Sequence, residues 1–152
     1  AYEILTCDWS SDVCSSDLDA VGKNLNIAEL ENMHIHKTGA LIRASVELGA
    51  LSALNMEPAA FDSVSRYAKC IGLAFQIQDD ILDVESNTET LGKPQGSDQD
   101  KNKPTYPGLL GLAGAKKAAL DMHGQALEAL RAFDDQAQVL RSLADYVVQR
   151  EK

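Results

Sequence analysis

Three carboxylates, Asp79, Asp80 and Asp83, stand within five residues of one another in the stretch GLAFQIQDDILDV, Gly72 to Val84. Their neighbours are apolar, and each acid would cost several kcal/mol to desolvate alone, so a buried setting demands a compensating partner. Acids at i, i+1 and i+4 present several oxygens to one side of a helix. Hard cations such as Mg²⁺ favour oxygen donors, and Mg²⁺ ordinarily uses one or two carboxylates and completes its shell with water and phosphate. The competing explanation is a solvated acidic patch near a helix C-terminus. It is electrostatically poor, because the helix dipole disfavours negative charge at that end, and the apolar flanks argue against it.

A second group is the run HKTG, His36 to Gly39. Lys37 heads a series Leu41, Ala44, Leu48 at helical spacing, beside a hydroxyl and a glycine. A cation there suits an anion such as diphosphate, although a lysine that snorkels from an apolar stripe is the commoner case. His34 and His36 are one residue apart and diverge by about 200° on a helix, so they cannot chelate one metal together. Both are read as structural or surface residues. The run DQDKN, Asp98 to Asn102, fails as a calcium loop: Lys103 stands where the loop needs Gly, and Leu109 where it needs Glu.

These residues need elements to hold them. Asn26 with Glu29 three positions on is a capping-box pattern, and the helical period continues through the sequence up to Leu54. Gly39 interrupts it and predicts a kink. A second helix is predicted from Pro58 or Ala59 to about Val84. At about 100° per residue, Gln76, Asp79, Asp80, Asp83 and Asn87 share one sector, while Phe75, Ile77, Ile81, Leu82 and Val84 cover the other directions. That pattern predicts a helix lining an internal cavity. The segment from Ser86 to Pro107 reads as a polar loop carrying Lys93, Lys101 and Lys103, and a loop of this length in a compact domain is usually functional or disordered. Two amphipathic helices are predicted beyond it, about Leu109 to Phe133 and Gln136 to Gln149.

The whole chain has 152 residues, enough for one domain, with 45% hydrophobic and only 5% aromatic residues. Ala and Leu dominate the apolar fraction, which favours an all-α fold. A net charge of −9 makes nucleic acid or an anionic membrane surface a poor partner. It equally disfavours a bare anionic substrate unless metal reverses the local field. No apolar run is long enough to insert in a membrane, and the N-terminus lacks the pattern of a signal peptide. Cys7, Cys14 and Cys70 form neither a disulfide framework nor a zinc site, and a cytoplasmic location is expected.

Taken together, HIHKTGALIRASVELGAL, YAKCIGLAFQIQDDILDV and TLGKPQGSDQDKNKPTYPGLLGL resemble the trans-isoprenyl diphosphate synthases (polyprenyl synthetases), nearest the short-chain bacterial farnesyl and geranyl type. The resemblance runs from about Leu18 to the C-terminus. It implies an all-α helical bundle around a central cavity, usually a homodimer, that condenses an allylic diphosphate with isopentenyl diphosphate. Two or three Mg²⁺ ions, with Mn²⁺ as an alternative, would serve a complete site. By the same resemblance, Asp79, Asp80 and Asp83 match the second aspartate-rich metal motif. Lys37 and Lys93 match lysines on the allylic diphosphate, and Lys103 a later loop lysine. Thr38 and Gln76 match polar groups near the reacting centre, and Phe75 an aromatic beside the isopentenyl site.

The first aspartate-rich motif of that family is not found upstream, where Asp8, Asp12, Asp17 and Asp19 are scattered. The expectation is therefore a C-terminal half, residues 18–152, inactive alone, preceded by a foreign segment over residues 1–17. A non-catalytic subunit of a heteromeric synthase and a longer-chain synthase are the alternatives. The intact acids and lysines count against the first of these.

Overall fold

The computed structural model describes residues 25–53, 55–85 and 104–151. The expectations for residues 1–17, Asn87, Lys93 and Lys103 lie outside them. Among the described residues every regular element is helical, as the composition predicts. Five α-helices appear in chain order: α1 (Ile27–His34), α2 (Ala40–Leu51), α3 (Pro58–Glu85), α4 (Tyr106–Ala129) and α5 (Gln138–Gln149). A π-helical turn, Ile35–Gly39, joins α1 to α2, and a 3₁₀ turn, Asp135–Ala137, leads into α5.

The start of α1 is set locally. Glu29 N–H donates to Asn26 Oδ1 at 3.0 Å, and Asn26 N–H donates to Glu29 Oε2 at 2.8 Å, closing the predicted capping box. The predicted kink at Gly39 is instead a widened turn. It carries Lys37 and Thr38, and it lies against α3 where a Cβ on Gly72 would come within 3.1 Å of the Gly39 Cα. Two glycines let the backbones approach there. That contact decides which face of α2 turns inward. Ile42 and Ala50 follow Gly39 toward the core, whereas Leu41 and Leu48 are exposed. The apolar series below Lys37 thus faces outward.

The 28-residue helix α3 is the axis of the molecule. Its first half packs Tyr67, Cys70 and Ile71 against Ala126 and Leu130 from the end of α4 and Ala144 and Val147 of α5. Its second half packs Leu73, Ile77 and Ile81 against Leu30 and Met33 of α1 and Tyr106 and Ala115 of α4. Helix α4 begins three residues before the predicted Leu109. Thr105 caps it by accepting from Gly108 N–H at 3.2 Å, and Pro107 sits in the first turn, where its missing N–H is not needed. Gly111 breaks the helical backbone with φ of 70°, a left-handed value that glycine adopts freely. At its other end α4 stops at Ala129 rather than Phe133, because Arg141 donates to the carbonyls of Leu130, Phe133 and Asp134 and holds the chain in a turn.

Candidate metal and diphosphate site

The predicted acidic sector lies on the second half of α3, and its members are treated differently by their neighbours. Asp79, at one edge of the sector, keeps 54% of its side chain exposed. Its Oδ1 accepts from an Arg150 guanidinium nitrogen at 2.7 Å. Asp80, at the other edge, is 7% exposed and turns toward α1 and α4. Its Oδ2 accepts from Tyr106 N–H at 2.9 Å and lies 3.6 Å from His34 Nε2, beyond hydrogen-bond range. Asp83 and Gln76 are buried between them. The sector is real, but its edges point to different partners.

Arg150 comes from just beyond α5 and was not foreseen. Its guanidinium carbon sits 4.0 Å from the centroid of the Phe75 ring, a cation–π distance, and a nitrogen donates to the Phe75 carbonyl at 3.1 Å. Its own carbonyl accepts from Gln78 Nε2 at 3.2 Å. Phe75 and Asp79, one turn apart on α3, are therefore bridged by a single cation. The separation of 71 positions between Asp79 and Arg150 explains why no local pattern reveals the pair.

His34 and Tyr106 form the other unforeseen group. Their rings stack with centroids 5.7 Å apart, and both are buried. Among the described residues, neither nitrogen of His34 nor the Tyr106 hydroxyl has a hydrogen-bond partner. Burial, with the Glu31 and Asp80 carboxylates nearby, raises the Tyr106 phenol well above its ordinary pKa. His34 is buried, one of the two placements expected for it. His36 remains at the surface, its Nδ1 2.8 Å from the Asn32 carbonyl.

Lys37 and Thr38 are half-buried on the π-helical turn, and Gly39, next to them, meets α3 at Gly72, one turn before Gln76. Among the described residues, no group of three His, Cys, Asp or Glu side chains is gathered tightly enough to hold a cation unaided. What α3 offers is a partly open carboxylate, Asp79. That suits Mg²⁺, which takes few carboxylates and leaves room for water and phosphate oxygens. A hollow of about 440 Å³ lies on the flank of α3, lined by Gln78, Leu82, Lys116, Leu120 and Arg150, and none of the three aspartates lines it. Asp80 is covered by the start of α4.

The family model described as Polyprenyl synthetase matches residues 11–146, most of the chain. The chain belongs to the polyprenyl synthetase family. Among its relatives, the farnesyl diphosphate synthase of Escherichia coli (strain K12) is 52% identical over 139 residues, which are 90% of this chain and 46% of that protein. The farnesyl diphosphate synthase of Geobacillus stearothermophilus is 43% identical over 138 residues, again 90% of this chain and 46% of the relative. The chain thus spans about half the length of the curated relatives it matches. Two solved structures share the polyprenyl synthetase architecture. A polyprenyl synthase from Caulobacter crescentus CB15, complexed with calcium and isoprenyl diphosphate, superposes with a TM-score of 0.85 at 28% identity, covering 99% of this chain and 59% of that one. A geranyltransferase from Helicobacter pylori, complexed with magnesium and isoprenyl diphosphate, gives 0.73 at 28% identity, covering 90% and 44%.

Proposed function

We propose that this chain forms the diphosphate-handling wall of a prenyltransferase that joins an allylic diphosphate to isopentenyl diphosphate. In that reaction the allylic C1–O bond breaks and diphosphate leaves with the electron pair. The isopentenyl double bond attacks the resulting cation, and loss of a proton gives the longer prenyl diphosphate. Mg²⁺, when bound, would neutralise the departing diphosphate. Asp79 and Asp83 would face that cation, with Asp80 beside them in the same motif. Lys37 and Thr38, on their widened turn, would take diphosphate oxygens, and Gln76 would face the reacting carbon from one turn before the acids. Lys93 and Lys103 are carried from the sequence motif alone. Phe75 would offer its ring to the isopentenyl side. Assembly of the full protein as a homodimer and a cytoplasmic location belong to the same proposal. Among the described residues, no helix is long and apolar enough to cross a membrane.

The reading is supported chiefly by one observation: on a helix buried along nearly its whole second half, one acid of the motif, Asp79, stays open and is balanced by a guanidinium. A surface patch would leave the whole set solvated. Calorimetric titration of Mg²⁺ and inorganic diphosphate into this chain tests it. Binding that requires both components, and that weakens at least about tenfold in Asp79→Ala, is expected from losing a charged ligand. Equal binding by wild type and Asp79→Ala would return the acids to a structural role.

A further inference from the structure

Asp79 and Asp80 are adjacent in sequence, yet the Asp79 side chain is 54% exposed and that of Asp80 only 9%. The first turn of α4 contains N–H groups that no helical carbonyl can reach. Thr105 Oγ1 takes the one on Gly108, and Pro107 has none. Another of them, Tyr106 N–H, is taken by Asp80 Oδ2 at 2.9 Å in a buried hydrogen bond that spans 26 positions of sequence. A carboxylate at this place also complements the positive end of the α4 dipole. Tyr106, which the bond fixes, is itself fully buried and stacked on His34, whose Nε2 faces the same carboxylate oxygen.

We propose that Asp80 is a positioning residue rather than a direct metal ligand. Its carboxylate ties the start of α4 to α3 and so sets the wall in which Asp79 presents its charge. The assignment rests on the metal–diphosphate reading above for what is being positioned, but the tie itself does not depend on it. It separates two demands that the paired acids make inseparable in sequence. Asp79 must be charged. Asp80 must accept a hydrogen bond, and an amide oxygen can do that.

The experiment compares Asp80→Asn, Asp80→Ala and Asp79→Asn in this chain by two readouts: amide hydrogen exchange across α4, and titration with Mg²⁺ plus inorganic diphosphate. Exchange at Tyr106 and the first turn of α4 is expected to speed up at least about tenfold in Asp80→Ala and to stay near wild type in Asp80→Asn. Asp79→Asn is expected to leave that exchange unchanged while weakening Mg²⁺–diphosphate binding, and Asp80→Asn to bind within about threefold of wild type. The proposal is overturned if Asp80→Asn weakens binding as much as Asp79→Asn, or if Asp80→Ala leaves Tyr106 exchange untouched. Should Asp79→Asn bind as wild type does, the diphosphate reading fails while the exchange data still decide the tie. If Asp80→Ala does not fold, the Asp80→Asn result carries the decision.

Discussion

The two halves of α3 solve opposite problems. Around Tyr67 and Ile71 the polar groups are settled within the chain: the Tyr67 hydroxyl donates to the Leu140 carbonyl at 2.7 Å, and Arg141 gathers the carbonyls at the end of α4. Around Ile77 and Ile81 the same helix is equally buried, but among the described residues His34 and the Tyr106 hydroxyl have no hydrogen-bond partner, and three acids line one face. An unpartnered buried polar group costs about 1–3 kcal/mol. The contrast separates the half whose buried polar groups are paired within the chain from the half where some have no partner among the described residues.

Substitutions can break this contrast. The largest loss is expected from Leu130→Ala in the first half. That side chain is fully buried, and its removal should cost about 2–5 kcal/mol in urea unfolding. Next comes the joint between the halves. In Gly72→Val the new side chain meets the Gly39 backbone, which cannot withdraw without moving the π-helical turn, so a loss of about 1–3 kcal/mol is expected from thermal or urea melts.

A smaller effect, about 1 kcal/mol, is expected for Tyr67→Phe at neutral pH, from the lost bond to Leu140. It carries a pH signature. Burial pushes the Tyr67 phenol up to about 12, above its ordinary value near 10. A group that holds its proton more firmly when folded stabilises fully below its unfolded pKa, and the gain is lost as pH rises through the folded one. Wild-type stability should therefore fall between about pH 10 and 12, and it should fall less steeply in Tyr67→Phe. Equal alkaline slopes would mean that this phenol is not held as described.

The smallest change is expected in the second half. His34→Phe keeps the ring against Tyr106 and removes two unpartnered nitrogens, so stability should stay within about 1 kcal/mol of wild type or rise. A loss as large as that of Leu130→Ala would abolish the distinction between the halves.

Local features were legible in the sequence. Asn26 and Glu29 are three residues apart and cap α1 as their types predict, and Pro58 opens α3 where the pattern begins. The acidic sector was legible because a helix fixes the directions of residues a few positions apart. Its sorting was not. Asp79 and Asp80 differ through Arg150 and Tyr106, which arrive from 71 and 26 positions away, and no periodicity encodes such meetings. The same holds for the end of α4, where Arg141 replaces a local stop signal, and for the outward turn of Leu41 and Leu48, decided by where Gly39 meets Gly72. The start of α4 was placed late because Pro107 was read as the close of a loop, although a proline belongs as naturally in a first helical turn.

The hydrogen bonds of the turn Ile35–Gly39 close over five residues instead of four, which accommodates one more residue than an α-helix would. Everything before it, the Leu30 and Met33 face included, is thereby rotated by about 100° against everything after it. Deleting one residue there would let the segment anneal into an unbroken α-helix, and either Lys37 or that apolar face would swing out of line. The bearing of the lysine is therefore written in chain length, a quantity that survives replacement of the side chains around it.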